Sequence, residues 1–170
     1  RITEAVKREI IQLIKSTKNR YSGFFLKRKD VIFGKEVNYG EMGNVKLIRL
    51  AKKDAGFWKR SVHETWIVKG ETRSLINSIF HYPHRNLNYF LQSINQFSSL
   101  HAIANNDEGK KSRFIKIIIW PMGHYFKNWI FKKGFLDGTL GFIIAMLMSF
   151  HSFLAWSKLW FLQRKESIRV

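Results

Sequence analysis

Between Asp137 and Lys158 the sequence runs twenty residues without a formal charge, Gly138 to Ser157. Coiled as a helix, that run is about 30 Å long, the thickness of one hydrocarbon core. Trp156, Lys158 and Trp160 sit at its end, as interfacial anchors do, and Arg164, Lys165 and Arg169 follow. Upstream, His124 to Lys133 mixes aromatic rings with lysines, the composition of a helix lying among lipid headgroups. The competing reading is a core helix with a basic solvated face. His151 and the small or hydroxylic residues inside the run favour packing on protein, or a shallow position, over a full span.

Charge sets the second constraint. Lys and Arg number 30 against 12 acids, a formal +18 over 170 residues, which calls for an anionic partner: nucleic acid, a phospholipid surface or a phosphate-bearing substrate. With 45% apolar and 15% aromatic residues the chain can bury a core. It has no cysteine, which excludes a disulfide scaffold, Cys-ligated zinc and thiol catalysis. The chain opens on Arg1 with no signal-peptide pattern and reads as the inside of a larger protein.

The two parts of the chain differ. Residues 1–70 hold 17 of the basic residues but only 8 of the 26 aromatics. An amphipathic helix is expected over residues 3–14, its buried stripe at Val6, Ile10, Leu13 and Ile14. Strands are expected at 21–26, 45–50 and 66–68, with an extended segment over 57–64. The polar block Lys27-Arg28-Lys29-Asp30 lies between apolar stretches, before a turn at Gly34-Lys35. The second part reads as helical from residue 73. A helix capped by Asn86 is expected over 86–97, a polar loop over 105–111, and a break at Pro121.

Chemistry is carried by few residues. His63-Glu64 is the only adjacent His and acid in the chain. The pair could do acid–base work, and a surface Glu beside a packed His is the alternative. Neighbours in a strand face opposite sides, so both serve one site only at a strand end or bend. Arg49 stands among apolar neighbours and, if buried, needs a diphosphate or a structural carboxylate. Lys27, Arg28, Lys29 and Lys35 flank the turn and read as contacts for acceptor phosphates or lipid headgroups, or as a solvated loop. His81 and His84 bracket Pro83 with too few acids nearby for a metal site and read as structural. Asp137 reads as a helix cap.

An ordered set of blocks carries a family resemblance: Lys27-Arg28-Lys29-Asp30 with Phe33-Gly34-Lys35, Lys46 to Leu50, Val62-His63-Glu64, Gly70, His81-Tyr82, and Lys133-Gly134-Phe135-Leu136-Asp137-Gly138. Together they resemble the C-terminal two-thirds of a family 2 glycosyltransferase, similar to bacterial lipopolysaccharide-core glucosyltransferases. The resemblance implies an α+β chain: part of a GT-A, Rossmann-like domain over 1–72 without its N-terminal nucleotide-binding half, then a helical, membrane-associated region over 73–170. It implies a nucleotide-sugar donor, a cell-envelope glycolipid or polysaccharide acceptor, and work at the cytoplasmic face of the inner membrane, peripherally or with one C-terminal span. It implies a divalent metal, Mg or Mn, held by an Asp-x-Asp motif upstream of Arg1. Glu64 takes the place of the acidic base, with His63 beside it; Arg49, Lys27, Arg28 and Lys35 would bind substrate.

The rival classes are a basic nucleic-acid-binding module and a membrane anchor without catalysis. Basic residues spread through both halves, and aromatics concentrated in the apolar C-terminal part, count against nucleic acid as the partner.

Overall fold

The computed structural model describes residues 1–16, 20–43, 45–59 and 65–168, with side chains described as far as Arg164. The chain is α+β and divides into two compact units. One comprises 1–38 and 42–83; the other comprises 39–41 and 84–170.

The first unit is a small sheet with one helix. Helix α1 (Glu4–Lys15) starts where Thr3 Oγ1 accepts the Val6 N–H, and it carries Glu4 in its first turn. Val6 packs with Phe24, Leu26 and Leu75, and Ile10 and Leu13 close over them. Ile14, expected in that stripe, is 70% exposed, since one residue on from Leu13 it is turned about 100° round the helix.

Strand β1 (Gly23–Ile32) is central. It pairs antiparallel with β2 (Lys35–Val37) and β3 (Val45–Ala51), and parallel with β6 (Thr72–His81). The block Lys27 to Asp30 is therefore strand interior, not a segment flanking a turn. Phe33 and Gly34 both take positive φ, 51° and 80°, the mirror-image two-residue turn that suits strand twist. Strands β4 (Gly56–Lys59) and β5 (Thr65–Val68) form a separate antiparallel pair. A Cβ on Gly56 would lie 2.1 Å from the Ile67 carbonyl oxygen, so only glycine fits there.

Residues 73–81, expected in the helical part, are thus a strand, and the unit boundary falls after Pro83 rather than after residue 72. The parallel register jumps from Phe25↔Ser74 to Lys27↔Ser78, so β6 bulges at 75–77. The bulge frees two backbone donors, and α1 supplies the acceptor. Glu9 takes the N–H groups of Ile76 at 2.7 Å and Asn77 at 3.0 Å, and the Asn77 side-chain amide at 2.8 Å. Burial raises the Glu9 pKa, but these hydrogen bonds outweigh it and hold the carboxyl below its ordinary value.

The second unit is helical. Helix α2 (Leu87–Asp107) begins where Asn86 Oδ1 accepts the Tyr89 N–H at 3.0 Å. It runs through the first residues of the expected loop and turns off at Gly109, φ +72°. Helix α3 (Phe114–Phe126) continues through Pro121, followed by a π-helical turn at Lys127–Phe131. Pro121 is buried, and its carbonyl accepts from Ser149 Oγ at 2.8 Å; packing offsets the lost backbone hydrogen bond. A 3₁₀ turn (Gly134–Asp137) leads into α4 (Gly138–Ile168). Helix α4 buries Ile144, Ala145, Ala155 and Leu159, while α2 buries Phe90, Ile94 and Ala102.

Residues 39–41 are bonded into this unit. The Tyr39 N–H reaches Asp137 Oδ2 at 2.8 Å, and the Gly40 N–H reaches the Lys132 carbonyl at 3.0 Å. Glu41 Oε2 meets His124 Nε2 at 2.5 Å and Asn128 Nδ2 at 3.1 Å. Burial raises the Glu41 pKa, but the His124 hydrogen bond and charge, the Asn128 amide and Lys132 together bring it down to about 2 from 4.5. A carboxyl whose folded value is depressed stabilises fully above about pH 4.5, and that contribution is lost as pH falls toward about 2. Water reaches 34% of the Glu41 side chain, so the effect is about 1–2 kcal/mol. Urea unfolding at about pH 6 and about pH 3 should show this drop. The drop should shrink in Glu41→Gln; an equal drop in both proteins would contradict the assignment.

Candidate anion-binding groove

In the first unit two lysines meet on one face of the sheet. Side chains alternate along β1, so Phe24 and Leu26 turn to α1 while Phe25, Lys27 and Lys29 turn the other way. Across β3, Lys27 stands directly opposite Lys46; across β6 it stands opposite Ser78. Two like charges directly opposed in a sheet repel, and a bound anion is the partner that would relieve them.

Two open depressions meet at Lys46. One, of about 460 Å³, is lined by Lys27, Arg28, Lys29, Lys46, Ile76 and Ser78, among others. The second, about 450 Å³, takes in Phe25, Lys46, Arg49, Thr65 and Trp66. Lys29 is satisfied by Glu36 at 2.6 Å. Lys27, Lys46 and Arg49 pair with no described carboxylate.

Arg49 is exposed, not buried. Its guanidinium lies over the Trp58 ring, 5.2 Å from the centroid, and Trp58 stacks on Trp66 at 5.4 Å. Of its two apolar neighbours, Leu50 pairs with Phe24 on the α1 side, while Ile48 pairs with Phe25 and lines the depression with Arg49, which stands at the register shift between them. Lys35 lies at the β1–β2 turn and lines neither depression. Lys46 was not singled out from the sequence; the alternation of 45–50 carries the signal, once its pairing with β1 is known.

Arg28, which lines the first depression, also has a carboxylate partner. Its Nη2 donates to Asp30 Oδ2 at 2.8 Å, and Nε lies 2.8 Å from Oδ1, misaligned for a second hydrogen bond. Asp30 is 1% exposed, and the same Oδ1 lies 3.0 Å from His81 Nδ1. Strand pairing places Asp30 beside His81, so the carboxylate orients the imidazole and leaves Nε2 free of Asp30. His81 is 45% exposed.

His63 and Glu64 lie outside the described residues, in the sequence between β4 and β5. Glu64 directly precedes Thr65, which lines the second depression. Among the described residues no group of three or more His, Asp or Glu could hold a metal ion.

The lipopolysaccharide core biosynthesis glycosyltransferase LpsC of Rhizobium meliloti (strain 1021) is 27% identical to the chain over 158 residues. The alignment takes in 90% of this chain and 58% of LpsC, so the chain spans a little over half the length of that relative. No family model matches the chain, and no solved structure does. The likeness relates the chain, at a distance, to a glycosyltransferase.

Proposed function

We propose that the chain is part of a glycosyltransferase of family 2, with a GT-A catalytic domain, that moves a sugar from a nucleotide-sugar donor to a cell-envelope glycolipid or polysaccharide. The likeness to LpsC over nearly the whole chain carries this reading. The opposed Lys27–Lys46 pair supports it, because such acceptors and the leaving diphosphate are anions.

In this mechanism Glu64 takes the proton from the acceptor hydroxyl as that oxygen attacks the sugar's anomeric carbon, and the bond from that carbon to the diphosphate oxygen breaks to release the nucleoside diphosphate. His63 orients Glu64. Lys27 and Lys46 hold phosphate groups of the acceptor, Ser78 adds a hydroxyl donor, and Arg49 offers its fixed charge to the leaving diphosphate. Trp66 offers a flat apolar face beside those cations. A divalent ion, Mg or Mn, would neutralise the diphosphate. The described residues do not form its site, so no step here is routed through it. The setting is the cytoplasmic face of the inner membrane.

The groove is tested by Lys27→Gln combined with Lys46→Gln in the intact enzyme. The acceptor KM should rise about tenfold while kcat holds, the pattern of lost uniform binding. Stability should not fall, since a repulsive pair has gone. An unchanged acceptor KM, or retention on DNA that these lysines govern, would overturn the assignment.

A further inference from the structure

The helical unit leaves rows of apolar side chains uncovered. On α3, Ile118 and Met122 are 42% and 54% exposed, with Ile115 and Ile119 beside them at helical spacing. On α4, Phe142, Met146, Phe150 and Phe153 form a second exposed row, on the side away from its buried Ile144, Ala155 and Leu159.

The two helices are antiparallel neighbours. Tyr125 packs edge-on against Phe142 at one end, Ser149 Oγ donates to the Pro121 carbonyl midway, and Trp120 stacks on Trp156 at the other. Cations mark both ends. At one, Lys116 Nζ lies 5.3 Å from the Trp156 ring centroid and Arg113 precedes the start of α3. Lys127 and Lys133 lie at the other end with Trp129. These cations pair with no described carboxylate. Indole rings and ammonium groups bounding apolar rows fit an interface with anionic headgroups.

Helix α4 is long and apolar enough to cross a membrane. Its neighbours are not suited to follow. Between Lys116 and Lys127, α3 has ten uncharged residues, about 15 Å of helix and half of a hydrocarbon core. Helix α2 packs on the second half of α4, where Lys158 Nζ reaches the Asn95 carbonyl at 2.6 Å and the His101 ring lies 5.7 Å from His151. It exposes Asn88, Gln92 and Gln96, amides that a crossing would carry into hydrocarbon.

We propose that α3 and α4 dock together into one leaflet of a bilayer rich in anionic phospholipid, without α4 crossing it. This does not depend on the proposed sugar transfer. The intact protein should float with vesicles of equal parts phosphatidylglycerol and phosphatidylcholine. Binding to phosphatidylcholine alone should be weaker by up to on the order of a thousandfold, from the four cations at about 1 kcal/mol each. Ile118→Glu with Met122→Glu, both at exposed sites, should lower vesicle binding on the order of tenfold or more with helicity unchanged. Sidedness is read separately from single cysteines at Thr139 and Arg164, since the chain has no cysteine of its own. In native membranes both should react with an impermeant maleimide from the same side. Labelling from opposite sides would overturn the proposal in favour of a span. A protein that ignores anionic vesicles and forms a dimer in solution would overturn it in favour of a second copy covering the rows.

Discussion

Replacing Asp30 with asparagine is expected to destabilise the protein by about 2–3 kcal/mol. The carboxylate is 1% exposed and carries two partners, Arg28 and His81. Removing one member of a buried ion pair costs about 3–5 kcal/mol when the other stays buried and charged. Here the Arg28 side chain is 24% exposed and His81 45%, so water recovers part of that cost. Asparagine keeps the volume, so a cavity contributes little, but its amide can present N–H groups to a guanidinium that also only donates. Asp30 also sits where β1 pairs with both β2 and β6, so the loss falls on the centre of the sheet. Urea unfolding of Asp30→Asn should show a lower midpoint with an unchanged slope. A midpoint equal to that of the parent would mean that the triad contributes nothing to folding.

The larger expected effect is catalytic. Glu64→Gln in the intact enzyme should cut turnover by on the order of 10²–10⁴-fold, the range that a positioned general base supplies. Glutamine keeps the shape and the hydrogen-bonding oxygen but cannot take a proton at neutral pH. Donor binding should therefore be spared, and donor affinity measured by titration should match the parent. His63→Ala should cost less, since it removes an orienting group rather than the base. Unchanged turnover in Glu64→Gln would remove this residue from the mechanism. A parallel loss of donor affinity would assign it to binding.

Local signals in the sequence located the elements whose determinants are local. Asn86 marks the start of α2 because its side chain accepts a backbone N–H three residues on, and the apolar period of Val6, Ile10 and Leu13 marks α1, although Thr3 proves to be its cap rather than its first residue. The uncharged run marks α4 by composition alone. Strand β6 was hidden because its bulge at 75–77 breaks the two-residue alternation by which a half-buried strand is read. Pro121 signals a break, yet burial against α4 keeps it inside α3.

The candidate groove was partly legible for the same reason. Lys27 stood out within a basic block, but its pairing with Lys46 appears only once β1 and β3 are placed side by side. Arg28 was read with its charged neighbours as a substrate contact. Its carboxylate partner was two residues away, and only the approach of His81, 51 residues along the chain, shows the three as one cluster. Arg49 could be read either way from its apolar flanks; it is exposed because it stands at the register shift between Ile48 and Leu50, which no local pattern announces. His63 and Glu64 rest on their adjacency in the sequence and on the resemblance.

The central claim is sugar transfer, and the most direct measurement is transfer itself. The intact protein would be incubated with a panel of radiolabelled nucleotide sugars, Mg or Mn, and lipopolysaccharide carrying a truncated core. The account predicts that one donor labels the core, and that labelling falls with Glu64→Gln and needs more acceptor when Lys27 and Lys46 are neutralised. No labelling from any donor by folded protein, or labelling indifferent to all three positions, would contradict it.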